Sequence, residues 1–171
     1  YTGCGGFEIY CKTDLVVDLW NKIFEAGKNY NIKPVGLAAR DTLRLEMGFC
    51  LYGNDINDHT SPIEAGLSWI TKTNKSFTSS ELFLKQKNEG VKKKLVGFKM
   101  LDRAIPRKDY EILNSNNEII GKVTSGTMSP SLNYGIGLGY VKNGYHDENT
   151  EIHIRIRKNI KKAIVVKTPF K

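Results

Sequence analysis

From Leu95 to the C-terminus the sequence permits few folds, because it reads as short strand-like stretches parted by turn-forming residues and offers no helical period. The stretches are Leu95 to Leu101, Tyr110 to Leu113, Ile119 to Ser125, Ile136 to Val141, Glu151 to Ile156 and Ala163 to Lys167. Alternation is clearest in Ile152, Ile154 and Ile156, and Asn114 to Asn117 predicts a hairpin turn. Six strands without an intervening helix predict a small closed or sandwiched antiparallel β-barrel over residues 95–171.

Upstream the pattern is mixed. Phe7 to Cys11 reads as a strand, with Glu8 on the face opposite Phe7 and Ile9, which is either solvent or a cavity. Thr13 is placed to cap a helix over Asp14 to Ala26 whose buried stripe would be Leu15, Leu19, Trp20 and Ile23, with Gly27 near the stop. Pro34 breaks the chain, a second helix follows, and Gly48 closes it. Tyr52 to Thr60 is rich in Gly, Asn and Asp and predicts a loop. The polar run after Trp69, then a short charged helix capped by Ser79 or Ser80 and stopped by Gly90, reads as a linker. The expected class is therefore α+β: a mixed αβ region over 1–72, a linker with a short helix over 73–94, and the barrel over 95–171.

The second helix carries the most pointed chemistry. Arg40 and Arg44 stand four residues apart and share a helical face, where like charges repel by about 0.2–0.5 kcal/mol unless acids or a bound anion compensate. Asp41 can relieve Arg44, whereas Lys33, Pro34 and Val35 give Arg40 no such neighbour. Ala39, Leu43 and Met47 form the stripe expected to pack inward. Arg40 is thus the free cation, either solvated or facing an anion.

Charge and cysteine usage narrow the alternatives. The net charge of +8 is uneven: residues 1–80 hold 8 basic and 9 acidic side chains, the remainder 18 and 9. Such a surface attracts polyanions and steers acidic partners, an effect that salt weakens. Nucleic acid is a generic candidate, but exposed stacking aromatics do not accompany the lysines; Phe98 and Tyr110 sit in strand-like segments and read as core. Cys4, Cys11 and Cys50 form no CxxC pair and lack a histidine at ligand spacing, so they read as reduced and structural, and no metal is expected. His59, His146 and His153 are scattered. No apolar run approaches the roughly 20 residues needed to cross a bilayer.

Four segments carry a family resemblance: YTGCGGFEIY at 1–10, GLAARDTLRLEMGFCLYGNDI at 36–56, HTSPIEAGLSWITK at 59–72 and GKVTSGTMSPSLNYGIGLGYV at 121–141. In order and spacing they resemble the glycine cleavage system T-protein, a tetrahydrofolate-dependent aminomethyltransferase. The resemblance implies a folate-binding αβ region followed by a C-terminal barrel. It also implies that this chain is the C-terminal half only, that the family's catalytic aspartate has no match here, and that these 171 residues alone show no turnover.

The site residues follow from the same resemblance. Glu8 matches the family glutamate at the polar edge of the pterin, Arg40 the arginine near the folate and the reacting centre, and Tyr1 a tyrosine in the folate pocket. Cys4 and Met128 depart from the family pattern without removing a catalytic residue. Tetrahydrofolate as co-substrate and the acidic lipoyl carrier H-protein are the implied partners, with neither metal nor nucleic acid nor membrane. The bacterial cytoplasm is the implied location, the mitochondrial matrix remaining open. Non-catalytic folate-binding and demethylase relatives share the scaffold, and a basic RNA-binding barrel is the reading unrelated to folate. An uncovered edge near Tyr1 to Tyr10 would invite self-association.

Overall fold

The computed structural model describes residues 1–171. Helix α1 covers Val16–Gly27, α2 Leu37–Glu46 and α3 Ser80–Glu89; strands β1 Lys93–Met100, β2 Glu111–Leu113, β3 Ile119–Met128, β4 Gly135–Lys142, β5 Glu151–Ile156 and β6 Asn159–Val166 follow. The six strands close into a barrel in the order β1-β4-β3-β2-β5-β6, every neighbour antiparallel. Closure is made by β1 and β6, from Gly97 opposite Val166 to Met100 opposite Ala163. With both edges paired, no strand is left to template another chain.

The interior is filled by the every-second-residue sets that alternation demands: Val96, Phe98 and Met100 from β1, Ile152 and Ile154 from β5, Ala163 and Val165 from β6. Gly137 on β4 lies opposite Phe98, and a Cβ there would sit 2.5 Å from the Phe98 ring. The ring therefore occupies space that any larger residue would claim. The hairpin at Asn114 to Asn117 forms as expected, with Asn117 in the left-handed region at φ 63 and its N–H bonded to the Asn114 carbonyl at 3.0 Å.

Helix α2 packs against the barrel wall with its last turn. Leu45 is fully buried against Ile136 and Leu138 of β4, and its neighbours Arg44 and Glu46 are buried on either side. The expected inward stripe of Ala39, Leu43 and Met47 is thus corrected: Leu43 is exposed, because only the C-terminal turn of α2 meets the barrel and that turn is oriented by Leu45. Gly48 ends α2 in the left-handed conformation at φ 69, and the Phe49 N–H bonds the Arg44 carbonyl at 2.9 Å. A Cβ at Gly48 would come within 2.5 Å of Thr168, so position and conformation both require glycine.

The N-terminal expectations fare differently. Phe7 to Cys11 is not a strand, since no backbone hydrogen bond involves residues 1–11 and a strand exists only as part of a ladder. Helix α1 forms, preceded by a 3₁₀ turn at Thr13–Leu15, but no side-chain cap from Thr13 is made. Its stripe is not buried: α1 touches only its flanking turns, and Leu15, Trp20 and Ile23 are exposed. The apolar period was sufficient to build the helix, while burial needs a second surface that this chain does not place there.

The remaining elements follow the sequence closely. Tyr52 to Thr60 is a succession of turns. Helix α3 starts after Ser79 and stops at Gly90, φ 85, although Ser80 accepts from the Phe77 N–H instead of either serine capping the helix by its hydroxyl. No helix is long and apolar enough to cross a membrane.

Candidate functional site

The two arginines of α2 have separate fates. Arg44 is 1% exposed and its guanidinium is fully engaged: Nε donates to Asp41 Oδ1 at 2.8 Å, Nη1 to Asp55 Oδ2 at 2.7 Å and to the Phe49 carbonyl at 3.0 Å, and Nη2 to Ser125 Oγ at 2.8 Å. Burial works against its charge, but Asp55 and Asp41 outweigh that and raise its pKa above the ordinary arginine value. Asp55, 1% exposed, also accepts from the Leu51 N–H at 2.9 Å, from Ser125 Oγ at 2.9 Å and from Thr124 Oγ1.

A β-bulge makes that convergence possible. Between β3 and β4 the register steps from Val123 opposite Gly139 to Ser125 opposite Leu138, leaving Thr124 unpaired. Successive strand residues normally face opposite ways, whereas the bulge turns both hydroxyls to one carboxylate. On the other side of Leu45, Glu46 accepts from Ser129 Oγ and from Ser131 Oγ, the latter at 3.1 Å. These two buried clusters fasten α2 to the barrel, and sequence reading missed them. The available signal was the pair of adjacent hydroxyls Thr124 and Ser125, which break the alternation of strand β3.

Arg40 points the other way, into a cleft of about 240 Å³ lined by Tyr1, Gly5, Gly6, Phe7, Glu8 and Arg40 among others. Its Nη2 lies 3.6 Å from Glu8 Oε1, and its guanidinium carbon stands 4.3 Å from the centre of the Tyr1 ring. Tyr1 is itself tied down: its hydroxyl donates to the Cys50 carbonyl at 3.0 Å and its ring stacks on Phe49. Partial burial raises the Tyr1 phenol pKa, with Arg44 and Arg40 pulling the other way. Tyr10 donates to the second Glu8 oxygen at 3.1 Å. The three residues that the family resemblance implies as site residues, Tyr1, Glu8 and Arg40, thus meet in one hollow, and Arg40 is ion-paired where spacing alone left it free.

The arrangement is suited to a polar, planar guest. Arg40 and Glu8 are roughly half exposed, so their pair is a loose one worth about 0–1 kcal/mol and is readily opened by a ligand. A carboxylate accepts adjacent N–H donors, and a guanidinium held over an aromatic face presents its fork to an anion or carbonyl. No three His, Cys, Asp or Glu side chains gather as a metal site.

The cysteines are all free, with Cys4 and Cys11 exposed and Cys50 partly buried. Burial, reinforced by Asp55, pushes the Cys50 thiol up to about 11, so it stays protonated and unreactive at mildly alkaline pH. Iodoacetamide at pH about 8, near the usual thiol pKa, is expected to alkylate Cys4 and Cys11 well before Cys50. Mass spectrometry showing Cys50 modified first would contradict this environment.

Comparison with known proteins identifies the family. Residues 1–75 match the family described as the GCVT N-terminal domain, and residues 93–171 match the glycine cleavage T-protein C-terminal barrel domain. The chain is 65% identical over 170 residues to an aminomethyltransferase of Flavobacterium psychrophilum, covering 99% of this chain and 47% of that protein. To the aminomethyltransferase of Bacteroides thetaiotaomicron it is 60% identical over 173 residues, covering 100% and 48%. The crystal structure of glycine cleavage system aminomethyltransferase T from Bartonella henselae superposes with a TM-score of 0.84 at 33% identity, over 92% of this chain and 44% of that one.

The chain spans about half the length of the curated relatives it matches. An assignment to the C-terminal half only is corrected in one respect, because residues 1–75 carry sequence of the N-terminal domain and join it to the barrel. With these two matches accounting for all but a short connecting stretch, the chain belongs to the glycine cleavage T-protein family.

Proposed function

We propose that this chain supplies one wall of the active cavity of a tetrahydrofolate-dependent aminomethyltransferase, with the stretch from late in the N-terminal domain through the barrel represented here. The observation that carries the reading is the meeting of Glu8, Arg40 and Tyr1 in one cleft. The residues fit a reduced pterin: the Glu8 carboxylate can accept the adjacent N–H donors of its edge, and Arg40 can hold a carbonyl or carboxylate. When bound, tetrahydrofolate supplies the nitrogen nucleophile that takes the methylene group from the aminomethyl-lipoyl carrier, ammonia and the carrier thiol being released.

What this chain does in that reaction is position. Arg40, held over Tyr1, and Glu8, held by Tyr10, are set in place before any guest arrives. Orientation of two reactants can be worth about 7–11 kcal/mol at best, and a tethered guanidinium and carboxylate are the means. No residue of this chain is assigned proton transfer. The lysine-rich surface of residues 85–108 favours an acidic lipoyl carrier protein by long-range attraction. Bacterial cytoplasm belongs to the same reading, the similar relatives being bacterial.

Cleft size sets a limit. A volume of about 240 Å³ is below the roughly 300–1,000 Å³ typical of a small-molecule site, so the cleft can hold a ring but not a whole folate. The 171-residue chain alone is expected to bind tetrahydrofolate weakly or not at all in a calorimetric titration, and nanomolar affinity would contradict the one-wall arrangement. The full-length protein is expected to release ammonia only when both the aminomethyl-lipoyl carrier and tetrahydrofolate are present. Folate binding without ammonia release would instead place it with the non-catalytic relatives.

A further inference from the structure

One wall of the Arg40 cleft is not held by its own backbone. With no main-chain hydrogen bond to residues 1–11, Tyr1 and the segment after it keep their place by side-chain contact. Those contacts converge on the residues that end α2. The Tyr1 hydroxyl donates to the Cys50 carbonyl at 3.0 Å, and the Tyr1 ring stacks on Phe49 with centroids 6.3 Å apart and planes 26° from parallel. Gly3, at φ 76, lies so close to Met47 that a Cβ there would stand 2.5 Å from its side chain.

Phe49 is in turn clamped at both backbone groups by one residue. Its N–H donates to the Arg44 carbonyl at 2.9 Å, and its own carbonyl accepts from Arg44 Nη1 at 3.0 Å. The same guanidinium holds Asp55 and the Ser125 hydroxyl of β3, so the Phe49 backbone is fixed to the barrel. Its ring is nevertheless 40% exposed, whereas a phenylalanine kept for the core would be covered. Phe49 does not line the cleft either. It touches the cleft only through Tyr1, whose other neighbour is the Arg40 guanidinium, 4.3 Å from the ring centre.

We propose that Phe49 is a positioning residue: its ring sets the plane of Tyr1, and Tyr1 aims the Arg40 guanidinium at the guest. Ring on ring and guanidinium on ring both depend on short-range geometry, so tilting the middle ring displaces the cation. For the identity of the guest the inference rests on the folate reading, whereas the order from Phe49 through Tyr1 to Arg40 belongs to the cleft itself. Misplacing an orienting group by about 1 Å can cost about 100-fold in rate, and a tilted ring is a smaller disturbance of the same kind.

The test compares Phe49→Leu and Phe49→Tyr in the full-length protein by three readings: tetrahydrofolate affinity, melting temperature, and the NMR shifts of the Arg40 side chain, which the Tyr1 ring current moves upfield. Phe49→Leu keeps apolar bulk without a ring, and is expected to reduce that upfield shift and to weaken tetrahydrofolate binding about tenfold, the melting temperature staying nearly unchanged. Phe49→Tyr retains the ring and should restore both the shift and the affinity. An unaltered Arg40 shift and affinity in Phe49→Leu would overturn the proposal. So would a fall of many degrees on melting in Phe49→Leu that Phe49→Met shares, since the residue would then be structural. If Arg40→Ala leaves folate affinity untouched while Phe49→Leu still removes the Arg40 ring-current shift, the folate reading fails and the positioning order stands.

Discussion

Asp55→Ala is expected to lower folding stability by about 3–5 kcal/mol, because it leaves the Arg44 guanidinium buried without its principal counter-charge. The carboxylate also accepts from Ser125, Thr124 and the Leu51 N–H; its loss would orphan the Leu51 N–H and the Ser125 hydroxyl as donors, Thr124 keeping its bond to the Leu138 carbonyl at 3.2 Å. Asp41 cannot substitute, since it is half exposed and reaches Arg44 from the solvent side. For a protein of this size about 1 kcal/mol corresponds to roughly 2–4 °C in melting temperature, so a drop of about 10 °C is the expected reading. Replacing both partners, as Arg44→Met with Asp55→Leu, should cost markedly less than Asp55→Ala alone, because no buried charge is then left unpaired. A melting temperature unchanged in Asp55→Ala would show that the buried pair does not hold α2 to the barrel.

On the proposed function, Arg40→Ala in the full-length protein is expected to reduce folate affinity or kcat/KM at least tenfold, equivalent to about 1.4 kcal/mol or more, while leaving the melting temperature nearly unchanged. The asymmetry with Arg44 comes from burial. Arg40 lies at the surface of its cleft, and its pair with the exposed Glu8 contributes about 0–1 kcal/mol to stability. A bond from a fixed guanidinium to a ligand anion is worth more, about 1.5–3 kcal/mol. Arg40→Lys should recover little, because an ammonium lacks the planar fork and stacks less well over Tyr1. A fall of many degrees on melting would instead make Arg40 a structural residue.

The barrel was legible in the sequence because its strands alternate and its turns carry Asn and Gly at the positions where left-handed backbone occurs, as at Asn117. Alternation, being local, survives translation into structure. The interior of a helix face is less local. Ala39, Leu43 and Met47 have the right period, yet Leu45 is the residue that docks, because the barrel surface and not the helix decides which side is covered. The same reason separates α1, which forms and stays uncovered, from a helix whose stripe is buried.

Of the polar residues, the cleft partners Tyr1, Glu8 and Arg40 were found by resemblance, and spacing alone left Arg40 between solvent and an anion. Arg44 with Asp55 escaped notice because its partners lie 11 and 81 residues away and meet through a bulge at Thr124 that no periodicity announces. The buried charge pair reads, in sequence, as an ordinary helix arginine followed by a turn aspartate.

The most direct test of the account is a crystal structure of the full-length protein with a reduced folate bound. The pterin is predicted to lie in the cleft of Tyr1, with its N–H edge donating to the Glu8 carboxylate and Arg40 within hydrogen-bond reach of the ligand. A pterin seated elsewhere, with Glu8 and Arg40 still paired to each other and facing solvent, would contradict it.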